Sequence, residues 1–157
     1  MESDKIIESL NHKLKKNCAE PADWDESDLS SAEKIFLTTY SPQKKLVVYG
    51  TLAPGGVNHS VIEHIRGRWQ KGIVKGKLLK QGWGAGLGYY GFKPVDKDEE
   101  KIPAFILTSD DLAANWQLLD DFEGSEYRRI IAKYQLEDGE IGVGFIYAIN
   151  DESGQFI

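Results

Sequence analysis

Ile6, Ile7, Leu10 and Leu14 recur at helical spacing and predict an amphipathic helix at the start of the chain. Pro21 and the acids of "CAEPADWDESDLSS" break that pattern, and "SSAEKIFLTTY" predicts a second short helix ending before Pro42. From Lys45 the signal changes to that of strands: "LVVYG", "GIVKGKLL" and "IPAFILTS" are short β-rich runs. "IIAKYQLEDGEIGVGFIYAI" predicts a hairpin turning at Asp138-Gly139, with Ile141, Val143, Phe145 and Tyr147 on one face. Asn58 and His59 stand where they would cap a helix over "SVIEHIRG". A single longer helix interrupts the strands. It opens at "TSDD", where Thr108, Ser109 or Asp110 can cap it and acids suit the positive helix end, and it runs to Gly124. Strands dominating over one internal helix predict an α+β fold with a curled or barrel-like sheet.

The end of that helix, "QLLDDFEGSEYRR", carries an anomaly. At about 100° per residue with Leu112 at zero, Trp116 falls near ~40°, Leu119 near ~340° and Glu123 near ~20°. An acid thus lies in the apolar stripe. A frayed last turn would let Glu123 swing into water; a carboxyl kept in place would be desolvated, and its pKa would rise into the range of acid–base chemistry. Asp120 and Asp121, near ~80° and ~180° on the same wheel, are expected to point aside or outward as surface charges. Tyr127 and Arg129 alternate as the chain leaves the helix. They fit either partners that orient the acid or an ordinary core tyrosine and edge cations.

Composition narrows the partners. The 157 residues fit one domain, and the net charge of -6, from 25 acidic and 19 basic residues, leaves no basic stripe for nucleic acid. Cys18 is the only cysteine, and His12, His59 and His64 show no ligand spacing, so neither a disulfide nor a metal is expected. The opening residues lack the apolar run of a signal peptide, and no stretch reaches the ~20 apolar residues of a membrane span. A cytoplasmic protein with no membrane partner is expected. Residues 1–45 form a helical extension docked on the main domain or on a partner chain, the place for a homo-oligomer contact; residues 46–157 form the main domain.

Two loops remain. The segment from Gly82 to Gly91, with Trp83, Tyr89 and Tyr90 among its glycines, fits a pocket wall as well as a surface connection. In "VVYGTLAPGGVNH", a strand delivers the chain into a glycine-permitted turn whose amides could face an anion. No Gly-Lys-Ser/Thr follows, so it is not a phosphate loop, and by itself the pattern is first of all a strand end with a turn.

Taken in order, "VYGTLAPGGVNH", "GWGAGLGYYGF", "IPAFIL" and "LDDFEGSEYRR" resemble the gamma-glutamyl cyclotransferase-like superfamily, especially its bacterial and gamma-glutamylamine cyclotransferase branches. The resemblance runs from about Leu46 to Asn150. It implies a small mixed β-barrel with surrounding helices and a reaction without cofactor or metal. The α-amine of a small γ-glutamyl metabolite attacks its own γ-carbonyl, releasing 5-oxoproline and an amine or amino acid. Glu123 matches the family's catalytic glutamate. Tyr49, Gly50, Thr51 and Leu52 match the substrate-binding loop, and Tyr127 matches a pocket tyrosine. Tyr90 and Glu126 stand where the family often has proline, which bears on the leaving-group side of the pocket. A non-catalytic metabolite-binding module of the same fold, and an amide hydrolase using water, are the alternatives.

Overall fold

The structure is a computed structural model that describes residues 2–14, 26–79, 91–95, 97, 99–124 and 126–149. Six strands form one sheet: β1 (Lys45–Val48), β2 (Arg68–Leu79), β3 (Gly91–Lys93), β4 (Glu100–Thr108), β5 (Tyr127–Leu136) and β6 (Ile141–Ile149). Pairings β1–β4, β4–β2, β2–β5, β5–β6 and β6–β1 close a five-stranded barrel, and only the last is parallel. β3 lies antiparallel to the end of β2 and touches β6 at Phe92 and Ala148. The expected α+β barrel is therefore present. Closure explains why Gly142 to Ala148 are all buried, with no solvated face on β6. One face fills the barrel and the other lies beneath helices and turns.

The β5–β6 hairpin turns where the Asp-Gly pair stands, but over three residues. Leu136 and Glu140 close the loop, Gly139 adopts φ +93°, and Asp138 Oδ1 accepts from the Glu140 amide. β2 begins four residues earlier than "GIVKGKLL" predicts, and β3 is a strand that periodicity does not announce.

Two helices precede the barrel, α1 (Glu2–Lys13) and α2 (Ser31–Tyr40). Ser30 and Glu33 form a reciprocal capping box at the start of α2. Leu10 and Leu14 are buried, and α1 lies along β5 of its own chain. The Asn11 carboxamide completes the ladder at Ile131: its nitrogen donates to the Ile131 carbonyl (2.9 Å) and its oxygen accepts from the Ile131 amide (2.8 Å). A side chain thus satisfies a strand edge that would otherwise bury unpaired backbone. No helix among the described residues is long and apolar enough to cross a membrane.

The helix expected from "TSDD" to Gly124 is two pieces, a 3-10 turn over Asp110–Ala114 and α3 (Trp116–Glu123), joined at Asn115. Ser109 caps the first piece by accepting from the Asp111 amide. The helix expected over "SVIEHIRG" is only a 3-10 turn, His59–Val61, whose following turns bury Ile62 and Ile65. Their spacing of three serves a tight turn as well as an α-helix.

Candidate active site

α3 is held down by Trp116, buried against Phe145 and donating from Nε1 to the Gln43 carbonyl, and by buried Leu119. The next position on that face is Glu123, the last residue of the helix, which is half-buried. Burial, seconded by the negative charge of Asp120, pushes its pKa up to about 7. The frayed, fully solvated alternative therefore does not occur. The chain turns at Gly124, whose carbonyl accepts from the Tyr127 amide, and re-enters the barrel as β5. Tyr127 packs on β3: a Cβ built on Gly91 would lie 3.3 Å from its ring and 2.5 Å from the Ile149 side chain.

The loop after β1 meets this helix end. Tyr49 is half-buried, its hydroxyl donates to the Tyr147 carbonyl (2.7 Å) and accepts from the Phe92 amide (2.8 Å), so it ties β6 to β3. Burial raises its pKa, and Glu123 and Tyr127 push in the same direction, which places the three groups within electrostatic reach of one another. Gly50 is exposed, Thr51 half-buried and Leu52 buried. Among the described residues no acceptor engages the amides of Gly50, Thr51 or Leu52. The turn itself is tightly held. Asn58 grips Thr51 twice, from its backbone amide to the carbonyl (2.9 Å) and from Nδ2 to Oγ1 (2.9 Å). His59 Nδ1 lies 2.8 Å from the Leu52 carbonyl and carries the proton between them, while its ring packs at a tilt against Trp69. A Cβ at Gly56 would come within 2.3 Å of the Thr51 carbonyl, so that position accepts only glycine. Asn58 and His59 thus shape the loop; no side-chain capping bond is made by Asn58.

Beneath Glu123 is a polar group that sequence reasoning misassigned. Asp120 is not a surface charge: Oδ1 accepts from the Tyr147 hydroxyl (2.6 Å) and Oδ2 pairs with Arg129 Nη2 (3.0 Å). A helical wheel cannot show this, because both partners come from strands. Arg129 is 5 % exposed and lies over the Trp116 and Phe145 rings, at 4.5 and 5.0 Å. Its ion partner is Asp120 and not Glu123. Asp121 is exposed, as expected.

A separate groove of about 810 Å³ on the barrel flank is lined by Val48, Tyr49, Ala53, Ile73, Pro103 and Phe105 among others. It borders the loop, but Glu123 is not in its wall. Of the glycine-rich segment from Gly82 to Gly91, read as either a pocket wall or a surface connection, residues 82–90 lie outside the described residues, as does Cys18, and Gly91 opens β3. Among the described residues no cluster of His, Cys, Asp and Glu is arranged to hold a metal ion.

The family model described as "Gamma-glutamyl cyclotransferase, AIG2-like" matches residues 46–156. No curated protein matches the chain. Among solved structures, the fold is similar to that of an AIG2-like protein from Mus musculus, with 22% identity, a TM-score of 0.53, and coverage of 72% of this chain and 91% of that one. It is also similar to YkqA from Bacillus subtilis, with 26% identity and a TM-score of 0.54; 68% of this chain is covered but only 36% of YkqA. A protein of Arabidopsis thaliana, At5g39720.1, shares 21% identity at a TM-score of 0.50, with 71% and 72% coverage. By the family match over most of its length, the chain belongs to the AIG2-like gamma-glutamyl cyclotransferase family.

Proposed function

We propose that the protein is a gamma-glutamyl cyclotransferase that converts a small γ-glutamyl amine or γ-glutamyl amino acid to 5-oxoproline and the free amine. The observation that carries this reading is Glu123: a half-buried carboxyl whose pKa of about 7 is matched to acid–base work near neutrality, beside a loop whose amides at Gly50, Thr51 and Leu52 meet no acceptor among the described residues. In the ring closure, the substrate's α-nitrogen bonds to its γ-carbonyl carbon and the bond from that carbon to the departing nitrogen breaks. Glu123 takes the proton from the attacking amine and returns it to the leaving nitrogen, so the carboxyl ends as it began. The amides of Gly50, Thr51 and Leu52 donate to the glutamyl carboxylate or to the carbonyl oxygen as it gains charge. Tyr127 lines the glutamyl side. Because the nucleophile belongs to the substrate, holding amine and carbonyl in the ring-closing geometry supplies much of the acceleration.

The test is 5-oxoproline release from a panel of γ-glutamyl amines and dipeptides by the wild-type protein and Glu123→Gln. The expected result is turnover of at least one compound, reduced about 10²- to 10⁴-fold in the variant without loss of fold. Thermal stabilisation by these compounds with no turnover in the wild type would instead identify a non-catalytic binding module.

A further inference from the structure

We propose that Asp120, locked between Tyr147 and Arg129, is a positioning residue whose fixed charge sets the pH at which Glu123 gives up its proton. The inference rests on the reading of Glu123 as the acid–base group, and it assigns a task to a buried polar unit that the ring closure itself does not use.

Three observations carry it. Both Asp120 oxygens are committed, one to the Tyr147 hydroxyl at 2.6 Å and one to Arg129 at 3.0 Å, so the carboxylate cannot rotate away from the helix end. Asp120 precedes Glu123 by three residues, the spacing that brings helix side chains together, and like charges at that spacing oppose each other. Arg129 is a buried guanidinium whose Nε and Nη1 find no acceptor among the described residues. Asp120 is its ion-pair partner, and a buried cation holds its carboxylate in place because losing it would leave the charge uncompensated.

The titratable groups that interact with Glu123 are Asp120 from its own helix, Tyr49 just after β1 and Tyr147 from β6; from β5, Tyr127 interacts with Tyr49 and Arg129 pairs with Asp120. Burial pushes the Tyr49 and Tyr147 phenols well above neutrality, so they stay uncharged while Glu123 titrates. Charge in this set sits on Asp120 and Arg129. Burial raises the pKa of Asp120 itself, and the Tyr147 and Arg129 contacts oppose that rise and favour the carboxylate. Losing the Asp120 charge removes a repulsion from Glu123, which favours its ionised form.

The test follows the side-chain carboxyl of Glu123 by 13C NMR titration of the full chain, with the signal assigned by its loss in E123Q. In D120N the midpoint should fall by on the order of one pH unit, and the acid limb of kcat/KM should fall with it. A midpoint that stays at the wild-type value in a folded D120N protein overturns the proposal. Should the uncompensated guanidinium unfold D120N, the D120N/R129M double variant removes both charges and leaves an apolar side chain between the aromatic rings. Its midpoint should also fall, and an unchanged one is equally fatal. The carboxyl titration needs no turnover. A wild-type protein inactive on every γ-glutamyl compound would defeat the functional reading, while the shift in D120N would still decide this one.

Discussion

Glu123 holds its proton up to about pH 7 in the fold, whereas an ordinary glutamate releases it near 4.5. Between those values the native state binds more protons than the unfolded chain, so this group makes stability fall as pH rises, with the full cost present above pH 7. Glu123→Gln removes the titration and should stabilise the protein at pH 8 by about 3 kcal/mol while changing little at pH 4. Chemical denaturation at the two pH values checks this; an equal effect at both would mean that the carboxyl is not desolvated. The periodicity of "QLLDDFEG" was enough to locate this acid on the buried stripe. It was not enough to place Asp120, because what turns a helix charge inward is a partner on another element, here Arg129 and Tyr147. Likewise Asn58 looked like a helix cap from its position, and its true partner, Thr51, is visible only once the loop has folded back.

At the scale of elements, the hairpin of β5 and β6 and the two N-terminal helices were legible because their signals are local. A turn dipeptide and a stripe of apolar residues each report on a few neighbouring positions. β3, three residues long, is too short to have a period, and the parallel contact of β1 with β6 joins segments almost a hundred residues apart. The attachment of α1 is also non-local, and it has its own pH dependence. Burial alone would raise the pKa of Glu33, but Lys13 Nζ (2.7 Å), Ser9 Oγ (2.6 Å) and the Ser30 amide (2.8 Å) outweigh it and hold the group down to about 2. A depressed carboxyl contributes stability that is fully present above its ordinary pKa of 4.5 and is lost as pH falls toward 2. Since Ser9 and Lys13 belong to α1 and Glu33 to α2, acid should loosen α1 first. Methyl NMR should show Leu10 and Leu14 moving toward unfolded shifts between pH 4.5 and 2 while Ile106 and Ile146 in the barrel keep theirs. Simultaneous loss of all four would show that α1 and the barrel unfold as one unit.

For the whole molecule, barrel closure is what brings the parts of the site together. β1 delivers the loop at Gly50–Leu52, β5 and β6 supply Tyr127, Arg129 and Tyr147, and α3 packs against β5 and reaches Phe145 and Tyr147 of β6 to present Glu123. The proposed cyclisation asks of this assembly only position, one adaptable carboxyl and a few amides. Hydrolysis would use the same groups with a water as nucleophile, so the oxygen of the product separates the two reactions. A γ-glutamyl compound turned over by the wild-type protein in H₂¹⁸O should yield 5-oxoproline with no ¹⁸O, because the substrate's own amine closes the ring. Free glutamate carrying one ¹⁸O in its side-chain carboxyl would contradict the account.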